Sequence, residues 1–295
     1  MRILIAVLLV LLPSVAFSQG FFEREAAIER KSWLIFEPEE AMTEAMEEAF
    51  QQAYQDETGV ADDYRIEINV AARRLFLFEN DNLIKEYPVA VGSPRYRTPI
   101  GPRFLKDITW NPWWFPPPYA DWAKGAKPEP PGPGNPLGRV KMSLGGDILL
   151  HGTNKEYTVG TPASHGCMRM MNKDALDLAW FIQTRFSEHA GLPDEELETM
   201  REKYRRQGGT SFPVKLSRLI PVDVVYERVS VWERTMEVHP DIYSRTENLE
   251  EQILEKLSSI GIAPWEVDQT KLQELQKAPT DEPVPILDLI ALSDI

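Results

Sequence analysis

Apolar and polar positions change rhythm several times along the chain, and each change marks an element. Over residues 37–55, Met42, Ala45, Met46, Ala49, Phe50 and Ala53 recur every three or four positions. That spacing predicts an acidic amphipathic helix, closed by Gly59. The period then drops to two. Tyr64, Ile66, Ile68 and Val70 alternate with polar partners as a half-buried strand does. Leu75 to Phe78 gives a second strand, Glu79-Asn80-Asp81-Asn82 a turn, and Leu83 to Val91 a third strand. The three read as an antiparallel meander.

Further along, Leu144-Gly145-Gly146 is a turn, and Ile148-Leu149-Leu150 is a short buried strand that delivers His151. Asn172 reads as the N-cap of a helix with Asp174 in its first turn and Ala175, Leu178, Ala179 and Ile182 at helical spacing. Residues 193–206 are charged enough for an exposed helix, and 213–231 are apolar and β-branched, hence strand-like. From Trp232 the chain reads as acidic and mostly helical, ending in an apolar stretch from Val284 to Ile290.

Two stretches follow neither rhythm. Residues 92–102 are a Pro/Gly-rich connection. Residues 111–138 hold nine prolines together with Trp113, Trp114 and Trp122. That proline density excludes helix and central strand. A long irregular loop in a compact domain is often a lid or a binding wall; the same residues also suit a rigid cover over packed aromatics.

The start of the chain is different again. Arg2, an apolar run from Ile3 to Leu12, and Ala16-Phe17-Ser18 make a secretory signal over residues 1–18, with export to the periplasm expected. Composition adds one contrast. Residues 19–59 carry 11 acidic and 3 basic side chains, residues 231–295 carry 14 and 5, and the middle carries 21 and 23. A mildly basic core, 60–231, is therefore expected between an acidic helical N-terminal segment, 19–59, and an acidic helical C-terminal extension, 232–295. Nothing resembles the concentrated basic face of a nucleic-acid binder.

The candidate chemistry lies between residues 151 and 169. Cys167 is the only cysteine, and in an exported chain an unpaired thiol calls for an explanation. A thiol attacks carbonyls as the thiolate and needs a base or a cationic neighbour. Two of the four histidines, His151 and His165, fall within sixteen residues of it. Gly152-Thr153-Asn154 can turn the chain so that Cys167 returns beside His151. In extended backbone His165 would share the face of Cys167. Gly166 permits tight backbone whose N–H groups suit an oxyanion, and Arg169 adds a planar cation for a carboxylate. The same atoms allow other readings. Cys167 also suits a small buried hydrophobe, and His151 a satisfied core residue. His151, His165 and Cys167 with Asp147 or Glu156 would be an incomplete zinc set. A redox thiol has no second cysteine to resolve it.

The run His151-Gly152-Thr153-Asn154, then Ser164-His165-Gly166-Cys167-Met168-Arg169-Met170 and Asn172, closely resembles the signature of L,D-transpeptidases with the YkuD-type catalytic domain. Thr98-Pro99-Ile100-Gly101 and Gly134-Asn135-Pro136-Leu137-Gly138 extend the likeness, as do Pro213-Val214 and Glu237-Val238-His239-Pro240. The resemblance covers about residues 62–240. It implies a mostly β (α+β) sandwich-like catalytic fold with few helices. It implies attack by Cys167 on peptidoglycan stem peptides through a thioester, His151 as base and acid, and the Gly152 carbonyl as its orienter. His165, Gly166 and Cys167 match the oxyanion-forming stretch. Ser164, Arg169, Thr153 and Asn154 match the substrate side. It implies no metal and no organic cofactor. An envelope lipoprotein or another cell-wall enzyme remains open as a partner. So do two alternatives: a hydrolase using the same thioester, and a scaffold that binds peptidoglycan without turnover.

Overall fold

The computed structural model describes residues 59–61, 63–206, 209–245 and 248–291. The expected signal segment and the acidic helix over 37–55 lie outside them. Strands β1 (Tyr64–Asn69), β2 (Arg74–Glu79) and β3 (Asn82–Pro88) are the meander, paired antiparallel with Ile66 opposite Leu77. Asn80 and Asp81 close β2 onto β3 with φ of 46° and 64°. Both central residues of such a hairpin turn need positive φ, which Asn and Asp tolerate.

A short β4 (Val91–Gly92) and the long β5 (Gly101–Trp110) follow, then β6 (Val140–Ser143), β7 (Leu149–His151), β8 (Pro162–Ser164) and β9 (Met168–Arg169). Helices α1 (Asn172–Phe186) and α2 (Asp194–Arg205) come next, and then β10 (Phe212–Val225). The eight-stranded sheet runs β3-β2-β1-β10-β5-β6-β7-β9. Strand β10 lies parallel to β1 and antiparallel to β5, and β7 lies parallel to β9. Ile66, Ile68, Leu75, Leu77, Val222 and Val224 are each at most 1% exposed and form the centre of the main core. Helix α1 closes that core with Ala175, Leu178, Ala179, Ile182 and Phe186.

Residues 232–291 hold two helices, α3 (Leu249–Ser259) and α4 (Gln269–Lys277), as the acidic pattern suggests. They also hold two strands that the charge pattern hides, paired with the end of the strand-like 213–231 run. β11 (Val229–Trp232), β12 (Thr235–Val238) and β13 (Thr280–Pro285) form a second sheet. Met236, Ile253, Leu257, Leu272 and Leu289 pack there into a separate small core. The apolar end of the chain therefore docks: Ile286 and Leu289 are buried. Among the described residues no helix is long and apolar enough to cross a membrane.

Candidate active site

Strand pairing sets the segments that carry Cys167 and His151 side by side. Leu150 stands opposite Met168, and His151 opposite Arg169, in the parallel β7–β9 ladder. Leu150 and Met168 are fully buried in the main core. Alternation then puts Leu149, His151, Cys167 and Arg169 on the other face. The Cys167 Sγ accepts the Leu149 N–H at 3.4 Å and lies 3.5 Å from the Asp147 carbonyl. His151 is not among its hydrogen-bond partners. Burial pushes the thiol pKa up, and the Leu149 N–H, Arg169 and Arg103 pull against that rise.

His151 is held by its own neighbour. Its Nδ1 lies 2.5 Å from the Gly152 carbonyl, which can only accept, so Nδ1 carries the proton and Nε2 keeps the lone pair. Burial lowers the imidazole pKa to about 4, with Arg169 and Lys141 adding to the effect and the Gly152 bond opposing it. The ring is therefore neutral at pH 7. Gly152 has no room for a side chain, because a Cβ there would sit 2.4 Å from Asn172 Oδ1.

Asn172 does not cap its helix, contrary to the sequence expectation; it is the first helical residue, and Met171 precedes it without a side-chain cap. Its amide is committed elsewhere. Oδ1 accepts the Arg139 N–H at 3.0 Å, and Nδ2 donates to the Thr153 carbonyl at 2.7 Å. The capping role passes to Glu156, whose Oε1 accepts the Asn172 N–H at 2.7 Å. Asn172 thus ties helix α1 to the turn behind His151.

The loop before Cys167 is bent. Gly166 has φ of +113°, a conformation that side chains resist. The extended backbone that would have put His165 beside the thiol is broken there. His165 instead lies exposed, stacked on Trp122 at 4.1 Å and 11° and flanked by Tyr96 at 4.8 Å. Trp122 belongs to the proline-rich stretch, which is irregular apart from a short turn at Asp121–Ala123. Ser164 clasps the loop: its hydroxyl donates to the Cys167 carbonyl at 2.5 Å and accepts the Gly166 N–H at 3.0 Å. Thr153 Oγ1 accepts the Lys155 N–H, and Asn154 Nδ2 reaches the Gly134 carbonyl at 2.6 Å, so both serve local backbone.

Arg169 is half-buried, with its backbone bridged to Ala90. A second cation, Arg103 on β5, reaches the same place; its Nη1 lies 3.5 Å from the Gly145 carbonyl, and its buried Nε has no hydrogen-bond partner among the described residues. Strand alternation gave no sign of it, because Arg103 and Cys167 meet only through the Gly145–Asp147 turn. Among the described residues no three His, Cys, Asp or Glu side chains converge as a metal site.

Residues 63–209 match the family model of the YkuD L,D-transpeptidase catalytic domain. YkuD of Bacillus licheniformis, named as an L,D-transpeptidase, is 34% identical over 120 residues, 40% of this chain and 60% of that protein. YbiS of Escherichia coli K12, also named as an L,D-transpeptidase, is 31% identical over 119 residues, 37% of this chain and 38% of that one. The likeness to a solved L,D-transpeptidase from Mycobacterium smegmatis is slighter, at 13% identity and a TM-score of 0.35 over 55% of this chain and 58% of that one. The family match defines the class: through residues 63–209 the chain belongs to the YkuD family of L,D-transpeptidases. It spans less than two thirds of the length of the YkuD and YbiS relatives.

Proposed function

We propose that this chain is an exported, periplasmic enzyme that transfers acyl groups between peptidoglycan stem peptides through a thioester on Cys167. The observation that carries the reading is the β7–β9 juncture. It sets the only thiol on the same face as a histidine whose Nδ1 is locked and whose Nε2 is left as a base. A half-buried thiol whose pKa is raised is protonated at pH 7, so it needs a neutral base beside it, and a histidine near pKa 4 supplies one.

In the first half-reaction the thiol turns from the Asp147 carbonyl and gives its proton to His151 Nε2. Sγ bonds to the carbonyl carbon of an L-centre in the stem peptide. The oxygen takes up the negative charge. Gly166 N–H is already given to Ser164, so the N–H groups of His165 and Cys167 are the remaining donors of that loop. Collapse breaks the peptide bond, and the departing D-residue amine takes the proton from His151. In the second half-reaction an acceptor amine attacks the thioester, loses a proton to His151, and the thiol is restored. Arg169 and Arg103, neither ion-paired among the described residues, suit the carboxylates of such substrates. An amine acceptor makes a crosslink or attaches a lipoprotein; water makes a hydrolase.

The test is incubation of the chain with a purified tetrapeptide-containing muropeptide, read by mass spectrometry. A dimer with loss of the terminal residue supports transfer, and a tripeptide supports hydrolysis. Product formation that persists in Cys167→Ala refutes the thioester.

A further inference from the structure

The catalytic loop is braced from outside the matched domain. Tyr243, 1% exposed, lies beyond residue 209, where the family match ends. Its hydroxyl donates to the Gly92 carbonyl at 2.8 Å and accepts the Thr98 N–H at 3.0 Å. Thr98, itself buried, continues the chain: its Oγ1 accepts the Gly92 N–H at 2.8 Å and donates to the Gly166 carbonyl at 2.9 Å. Gly166 immediately precedes Cys167. The loop from Gly92 to Thr98 is closed so tightly that a Cβ on Gly92 would sit 2.1 Å from the Tyr96 carbonyl oxygen. Ser93 N–H also bonds the Ser164 carbonyl at 2.9 Å, so this loop is tied to the Cys167 loop at a second point.

Tyr243 is in turn fixed by its own segment. Its N–H reaches the Tyr226 hydroxyl at 3.0 Å, which donates to Asp241 at 2.6 Å, and the two tyrosine rings stack at 5.4 Å. Arg97 donates to the Tyr243 carbonyl at 2.7 Å. All of these groups are paired, and none reaches the reacting atoms. Two buried hydroxyls therefore stand between the C-terminal segment and the peptide bond that enters Cys167.

We infer that Tyr243 is a positioning residue, which sets the Gly166–Cys167 backbone through Thr98 so that the sulfur and its N–H meet the substrate carbonyl. Removing its hydroxyl leaves the Thr98 N–H and the Gly92 carbonyl buried without partners, and the loop relaxes. The inference rests on Cys167 being the acylated residue, and its test keeps the two apart.

The experiment compares Tyr243→Phe and Thr98→Val with the wild type and with Asp281→Asn in the full chain. Asp281→Asn cuts polar ties of the C-terminal sheet outside the relay. Two rates are read: muropeptide turnover, and iodoacetamide alkylation of Cys167 followed by mass spectrometry at several pH values. Each relay variant is expected to lower kcat about ten- to a hundredfold with KM nearly unchanged, as small misplacements of reacting groups do. Their double mutant should lose about as much as either alone, since both cut one chain. The alkylation profile should move to lower pH as water reaches the sulfur. Asp281→Asn should change neither rate. Wild-type kcat and alkylation in both relay variants would overturn the inference, as would multiplicative losses in the double mutant or the same shifts in Asp281→Asn. Turnover that survives in Cys167→Ala would sink the thioester reading instead, while alkylation still reports on the relay.

Discussion

Two buried histidines in this molecule show what separates a structural imidazole from a chemical one. His239, fully buried, has both ring nitrogens occupied: Nδ1 meets Asp281 at 2.9 Å and Nε2 meets the Ser230 hydroxyl at 3.1 Å. Arg73 holds Asp281 from the other side, and Arg228 donates to the His239 carbonyl. The Ser-His-Asp order resembles a catalytic triad, yet the three groups knit β11, β12 and β13 together. His151 is buried to a similar degree but has one nitrogen occupied, by a backbone carbonyl, and the other left over. Burial lowers both pKa values, with Asp281 resisting the effect at His239. The difference lies in the count of partners. A histidine satisfied twice stabilises, and one satisfied once keeps a base.

The largest expected effect tests that contrast directly. His151→Gln should lower kcat on muropeptides by about 10²–10⁴, the usual worth of a general base, and leave the protein folded by circular dichroism. His239→Gln should do the reverse. It leaves Ser230 and Asp281 mispaired, so urea unfolding should show a loss of about 1–3 kcal/mol with kcat nearly unchanged. A kcat loss at His239 equal to that at His151 would erase the distinction.

Acid sharpens it further. A histidine whose folded pKa is lowered binds its proton more readily when unfolded. Its share of stability is thus present above the unfolded pKa of about 6.5 and is lost as pH falls toward the folded value. For His151 that window runs from 6.5 to about 4 and is worth about 3 kcal/mol. Urea midpoints measured down that range should fall, and His151→Gln should flatten part of the slope. The smallest effect belongs to the proline-rich loop. Trp122→Ala removes the stack on His165, and KM should rise about two- to tenfold with kcat little changed, in line with the worth of one aromatic contact.

Much of this was legible in the sequence. Period-two alternation located β1, an apolar run and a following turn located β2 and β3, and a β-branched run located β10. The cluster from His151 to Arg169 stood out by residue type and spacing alone. Elements whose partners lie far along the chain were not legible. Strands β12 and β13 are short and acidic, and they exist because Met236, Val238 and Val284 join a small core with residues of α3 and α4. Asn172 looked like a cap because local rules cannot see that Arg139 and Thr153 claim its amide. Arg103 and Tyr243 carried no local signal. They reach the Cys167 loop through residues 145–147 and 98.

The place of β10 has a consequence for how the molecule is made. Residues 212–225 lie between β1 and β5, so the sheet's centre is supplied by its last-made strand. Until that segment emerges, β1 and β5 have no strand between them, and the halves are linked at the sheet's margin, where Ala90 bridges Arg169. Assembly therefore waits on distant contacts, which slows folding. A fragment ending at residue 209, where the family match stops, would lack the strand that pairs with both β1 and β5. It would expose two raw sheet edges and be prone to clump.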